Sequence, residues 1–135
     1  MKKDIKIPQA THVFIAALPE RNADFNEESW YIYLINHTPI HLEMPLVVSR
    51  AYGTINGKPV KTSIFRHAFK ELAPYTALKI ELIDRQVFPL TNEFAVTYFS
   101  ENKLHDKTFS FKPNTINTKA LTDLPIIEQR GILLK

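Results

Sequence analysis

Trp30-Tyr31-Ile32-Tyr33-Leu34-Ile35 is the stretch on which the fold turns. In an extended chain Trp30, Ile32 and Leu34 fall on one side and Tyr31, Tyr33 and Ile35 on the other. Both sets are large and mostly apolar, so this strand is expected to be central and covered on both faces. Asn36-His37-Thr38-Pro39 ends it, because the residue before a proline is pushed out of helical backbone.

The same period of two recurs on either side. Leu78, Ile80 and Leu82 alternate with Lys79 and Glu81, the pattern of a half-buried strand. Phe94, Val96 and Tyr98 alternate with Ala95, Thr97 and Phe99, and Phe109 and Phe111 with Thr108 and Ser110. Thr11 to Leu18 sets Val13, Ile15 and Ala17 against Phe14, Ala16 and Leu18. Asn56-Gly57 is the strongest hairpin signal in the chain, with Tyr52 to Ile55 and Pro59 to Ile64 as its arms. Pro74-Tyr75-Thr76 and Asn102 mark further turns. About eight short strands result, and the class is all-β. A two-sheet, immunoglobulin-like sandwich is the first expectation, with Trp30 as the aromatic between the sheets, and a small barrel is the alternative. Largely buried positions should include Trp30, Ile32, Leu34, Leu78, Ile80, Leu82, Phe94, Val96 and Tyr98.

Two segments fit the pattern less well. Phe65, Phe69 and Leu72 have helical spacing, whereas Phe65, His67 and Phe69 have strand spacing, so Ile64 to Leu72 reads as either. The domain is expected over residues 1–112. Residues 113–135 form a tail, rich in Asn and Thr and then apolar at Leu124-Pro125-Ile126-Ile127 and Ile132-Leu133-Leu134. It would add an edge strand or link to something else.

Composition narrows the function classes. The 135 residues suit one domain, and with 44% hydrophobic and 23% charged residues the chain can build a core. There is no cysteine, which excludes disulfides, thiol catalysis and Cys-ligated zinc. With only 3 glycines there is no Gly-rich phosphate loop. The longest uncharged run, Ser29 to Leu42, is broken by Pro39 and too short to span a bilayer as a helix. The start, Met1-Lys2-Lys3-Asp4-Ile5-Lys6-Ile7-Pro8, lacks the apolar stretch of a secretory signal, so no membrane partner and a cytoplasmic location are the expectation.

The net charge is +3, and its distribution says more than its sum. Glu20 to Glu28 carries Glu20, Asp24, Glu27 and Glu28 against Arg21. Arg50 to Lys70 carries Arg50, Lys58, Lys61, Arg66 and Lys70 and no acid. A one-sign segment attracts an acidic partner or a phosphate backbone, whereas lysines on a hairpin also keep it soluble and block edge pairing. Tyr52, Phe65 and His67 lie among these bases and could stack nucleobases, although core positions suit Phe65 and Phe69 better. The RNA-recognition signature of a basic residue, Gly and Phe is missing.

Catalytic patterns are sparse. His37 and His41 are about 13 Å apart on a strand, too far for one metal, and Pro39 bars the helix that would bring them together. Ser29, Ser49, Ser63, Ser100 and Ser110 lack the glycines of a nucleophile elbow. Glu27 and Glu28 point apart on extended chain, so a paired-carboxylate site is not formed by them. No cofactor and no metal are expected, and the chain reads as non-enzymatic, an enzyme being left only to residues that converge from separate strands. Phe25 and Tyr75 are expected at the surface, and an exposed sheet edge could accept a partner strand.

One combination resembles a known family. Phe14-Ile15-Ala16-Ala17-Leu18-Pro19, Trp30-Tyr31-Ile32-Tyr33-Leu34-Ile35-Asn36 and Leu72-Ala73-Pro74-Tyr75-Thr76-Ala77-Leu78-Lys79-Ile80-Glu81 are similar to the uncharacterised β domain upstream of the Smr domain in Bacteroidetes Smr/MutS-like proteins. That family shows a strand ending in a Leu-(Val/Ile)-Asn turn and a Leu-x-Pro-x-Thr-x-Leu segment leading into a strand. The resemblance spans Val13 to Phe111. It implies a sandwich-like accessory module, a dimerisation or docking unit beside nucleic-acid machinery. Nothing after Lys112 resembles an Smr domain, so no nuclease activity and no catalytic residue carries over.

The expectation is therefore an interaction module that contacts a protein partner or a second copy of itself as a homodimer. The alternative is nucleic-acid binding through Arg50, Lys58, Lys61, Arg66 and Lys70.

Overall fold

The computed structural model describes residues 11–22, 24 and 27–135. Its strands are β1 (Val13–Asn22), β2 (Glu27–Asn36), β3 (Leu42–Ile55), β4 (Lys58–Lys61), β5 (Phe65–Ala68), β6 (Glu71–Leu72), β7 (Thr76–Ile83), β8 (Thr91–Ser100), β9 (Lys103–Phe111) and β10 (Ile132–Leu134). They form two antiparallel sheets that pack face to face and do not close into a barrel. The first has the order β10-β1-β2-β7, and the second β4-β3-β8-β9. β5 and β6 also pair with β3, so three short strands in succession line one flank of that long one.

Alternation fills the space between the sheets. Val13, Ile15 and Ala17 of β1 and Trp30, Ile32 and Leu34 of β2 meet Val47 of β3, Phe94, Val96 and Tyr98 of β8, and Phe109 and Phe111 of β9. Trp30 meets Phe88 edge to face at 6.2 Å between ring centroids, and Phe94 meets Phe111 likewise at 6.0 Å. Such aromatic pairs favour edge-on geometry because the ring edge is positive and its face negative.

A second apolar cluster lies on the other side of the first sheet. Phe14, Ala16 and Leu18 of β1 and Ile35 of β2 are buried under Leu124, Ile127 and Leu133 of the tail. The tail then returns as β10 and pairs with β1, Ile15 opposite Leu134. Gly131 makes this approach possible, since a Cβ there would lie 2.7 Å from the Ala17 carbonyl oxygen.

Three expectations need correction, and the open reading of Ile64 to Leu72 resolves to strand. There are ten strands rather than about eight, because Ile64 to Leu72 supplies β5 and β6 and the tail supplies β10. No helix forms over Ile64 to Leu72, because backbone pairing with β3 overrides the helical spacing. Leu82 is 57% exposed. The reason is a bulge: Ile32 pairs with Glu81 but Tyr33 with Lys79, so Ile80 is the extra residue. One extra residue inverts the faces beyond it. Leu78 and Ile80 still pack against the core, half-buried, but from there on Glu81 and Ile83 turn inward and Leu82 outward. Finally, Phe65 is 54% exposed, since it opens β5, a short strand at the sheet edge. Among the described residues no helix is long and apolar enough to cross a membrane. Tyr75 is at the surface, and Phe25 lies outside the described residues.

Candidate functional site

The basic segment does not form one patch. At the tip of the β3–β4 hairpin Asn56 and Gly57 both have positive φ, 53° and 76°. That matches the two-residue turn whose twist suits adjoining strands. Register then sorts the bases. Arg50 is paired across from Glu93, Lys61 from Tyr52 and Arg66 from Val48, which puts these three on the outer face of the second sheet. Lys58 pairs with Ile55 and takes the opposite face of the hairpin. Lys70 lies beyond β5, its carbonyl accepting from the Met44 amide. Along β3 that is roughly 35 Å from Lys58 at about 3.3 Å per residue. Arg50 is also engaged: its Nε donates to Glu93 Oε2 at 2.6 Å, which holds the guanidinium pKa above its ordinary value. The same guanidinium lies over the Tyr52 ring at 5.4 Å.

The side of the sandwich between β5 and β7 is a groove, and its polar core was invisible in the spacing of the chain. Because the bulge turns Glu81 inward, its carboxylate reaches across the gap. Glu81 Oε1 accepts from the buried Ser49 hydroxyl of β3 at 2.6 Å and from His67 Nε2 of β5 at 2.9 Å. Ser49, His67 and Glu81 thus converge from three strands. His67 bonds the carboxylate and not the hydroxyl, so this is not the serine–base relay of nucleophilic catalysis, in which the base must receive the hydroxyl proton. It is a polar tie between the sheets.

Around this tie are two adjoining depressions that share Arg50, Ala51 and Thr62. One, of about 310 Å³, takes in Ser49, Glu81, Phe65, Leu82 and Asp84. The other, of about 330 Å³, takes in Tyr52, Lys61 and Ile64. Phe65 and Leu82 line the first, and Ile64 at 47% and Tyr52 at 39% exposure line the second, so four large exposed hydrophobic side chains are divided between the two adjoining depressions. The lip from the second sheet carries Arg50 and Lys61, and the lip from the first carries Glu81 and Asp84.

Two of the sheet edges, β7 and β9, are by contrast guarded. β7 has its bulge and the inward Glu81. β9 pairs with β8 without a break, but Lys107 shares the inward side with Phe109 and lies 5.1 Å from its ring centroid. Bulges and inward charges on edge strands are what deter a further strand from adding. Of the edges at which a partner strand could have been accepted, these two are therefore the disfavoured ones.

The chain matches no protein-family model and is similar to no curated protein.

Proposed function

We propose that the chain is a non-enzymatic, immunoglobulin-like interaction module that docks an extended, apolar segment of a partner protein in the groove between β5 and β7. The observation that carries this is the exposure of Phe65 and Leu82 in the depression there and of Tyr52 and Ile64 in the one adjoining it. Exposed apolar clusters rimmed by polar groups mark binding surfaces, and aromatic side chains dominate their energetics. The lips of opposite sign favour a segment that offers an acid towards Lys61 and a base towards Asp84. The order β10-β1-β2-β7 against β4-β3-β8-β9 supports the immunoglobulin-like reading. Work in the cytoplasm beside nucleic-acid machinery is the setting that the resemblance to the Smr-associated β domain suggests.

Site-specific crosslinking tests the proposal. The chain has no cysteine, so one introduced cysteine carries one photoprobe. Probes at Ile64→Cys and Leu82→Cys should crosslink a partner polypeptide, and Phe65→Asp should abolish this without lowering the melting temperature. A probe at the equally exposed Tyr75→Cys should not crosslink. Equal labelling at Tyr75 would overturn the groove, and an adduct of twice the chain's mass would make the occupant a second copy.

A second reading rests on Tyr52, which has the Arg50 guanidinium on its ring and Lys61 directly across the hairpin. Arg66 shares their face. An aromatic between bases is a platform for single-stranded nucleic acid. It requires gel-shift affinity that falls steeply between about 50 and 200 mM salt. It also requires that charge reversal at Lys61 and Arg66 weaken binding while reversal at Lys58, on the other face, does not.

A further inference from the structure

A second cavity lies at the end of the sandwich where the β2–β3 connection meets the β8–β9 turn. It measures about 450 Å³, within the range of small-molecule sites, and is lined in part by Ile40, Leu42, Tyr98, Ser100, Lys103 and His105. Two of its hydroxyl residues belong to the interior: Tyr98 is 4% and Ser100 7% exposed. Among the described residues neither hydroxyl has a hydrogen-bond partner, and Lys103 has no ion pair. Both residues line the cavity, and neither hydroxyl is among the enclosed partnerless atoms, so the cavity presents donors that an acceptor entering it can reach.

His105 adds an unpartnered ring nitrogen. It pairs across from Tyr98, and the two rings stack at 5.1 Å with 6° between planes. Its Nδ1 is buried without a partner. Burial also pushes the Tyr98 hydroxyl pKa up, to about 12, so it remains a proton donor through the physiological range. The other wall is apolar, Ile40 and Leu42. Thr38 offers no free proton, since its hydroxyl already donates to Asn36 Oδ1 at 2.6 Å. Glu101 stands at the turn and also lines the cavity, so Lys103 is its one cation beside one acid.

We infer that this cavity is a binding site for a small monocarboxylate, with the carboxylate held by Tyr98, Ser100 and Lys103 and the hydrocarbon part lying against Ile40 and Leu42. One cation and neutral hydroxyl donors suit a single negative charge, and the apolar wall selects against a bare inorganic ion. The site is on a different part of the sandwich from the side groove and does not depend on the docking reading.

Nuclear magnetic resonance titration with hexanoate, benzoate and inorganic phosphate tests the assignment, with the ring signals of Tyr98 and His105 as reporters. Hexanoate or benzoate should shift both sets saturably. Lys103→Met should weaken the apparent Kd by about tenfold or more, the effect of losing one hydrogen bond to a charged group. Tyr98→Phe and Ser100→Ala, both near-isosteric, should weaken it while leaving the spectrum folded. A Thr108→Ala control on the outer face should change nothing. The absence of saturable shifts would show that the cavity holds only water and overturn the site. Binding insensitive to all three variants would place the ligand elsewhere and overturn it equally. Phosphate binding as tightly as hexanoate would overturn the monocarboxylate class.

Discussion

The Ser49 hydroxyl on β3 donates to Glu81 Oε1 on β7 at 2.6 Å, so a buried side chain of one sheet is fastened to an edge strand of the other. Removing only the acceptor, as in Glu81→Ala, leaves Ser49 and His67 without a partner. A stranded buried group of this kind costs about 1–3 kcal/mol. Ser49→Ala combined with Glu81→Leu removes donor and acceptor together and should cost less than Glu81→Ala alone. Urea denaturation of the set gives the coupling, and strictly additive losses would show that the tie contributes nothing.

The face assignments around the bulge have a direct readout. Ile32→Ala, fully buried between the sheets, should cost about 2–5 kcal/mol. Ile80→Ala, half-buried, should cost less than Ile32→Ala. Leu82→Ala should stay within about 0.5 kcal/mol, as surface changes do. A Leu82 loss matching that of Ile32 would mean that the strand runs through to Ile83 without the extra residue.

Gly131→Ala should be destabilising by about 1–3 kcal/mol, the usual cost of forcing atoms into a packed site. Its new Cβ meets backbone at Ala17 and side chains of Leu124 and Leu18. The loss should appear as faster amide exchange along the β10 flank of β1. Unchanged exchange there would show that β10 yields without cost.

Alkaline stability should report Tyr98. Its folded pKa lies near 12 against an ordinary 10. The folded state therefore holds this proton more tightly than the unfolded chain does. The contribution is fully present below about pH 10 and is lost as pH rises towards 12. Tyr98→Phe should therefore lose less stability than the parent chain between those values. Parallel pH curves would place the hydroxyl in open solvent.

Much of the architecture was legible because it rests on period two. Trp30, Ile32 and Leu34 read correctly, as did Phe94, Val96 and Tyr98, since each run is regular and one face must be buried. Asn56-Gly57 read correctly because few residue pairs accept positive φ twice in succession. Leu82 did not, since a bulge is one inserted residue and Leu78-Lys79-Ile80-Glu81-Leu82 carries no glycine or proline to mark it. That same slip turns Glu81 inward, so the error over Leu82 and the failure to see Ser49, His67 and Glu81 meet have one cause. The bases of Arg50 to Lys70 are near one another in sequence, but pairing with β3 strings them along its length. The end cavity gave no signal at all. Tyr98 reads as a core aromatic, and only the structure shows its hydroxyl without a partner.

β1 lies between β2 and β10, with Ile15 opposite both Leu34 and Leu134. The two partners differ greatly in when they can arrive. β2 follows after a short turn, whereas β10 comes after every other described strand, and closing so long a loop is slow. Through most of a refolding reaction Phe14 and Leu18 would lie uncovered beside an open strand edge, the kind of surface that recruits chaperones or other unfolded chains. Pulse-labelled hydrogen exchange should find the β1 amides that face β2 protected early and those that face β10 protected last. Simultaneous protection of both flanks would show that the tail docks as the sheet forms.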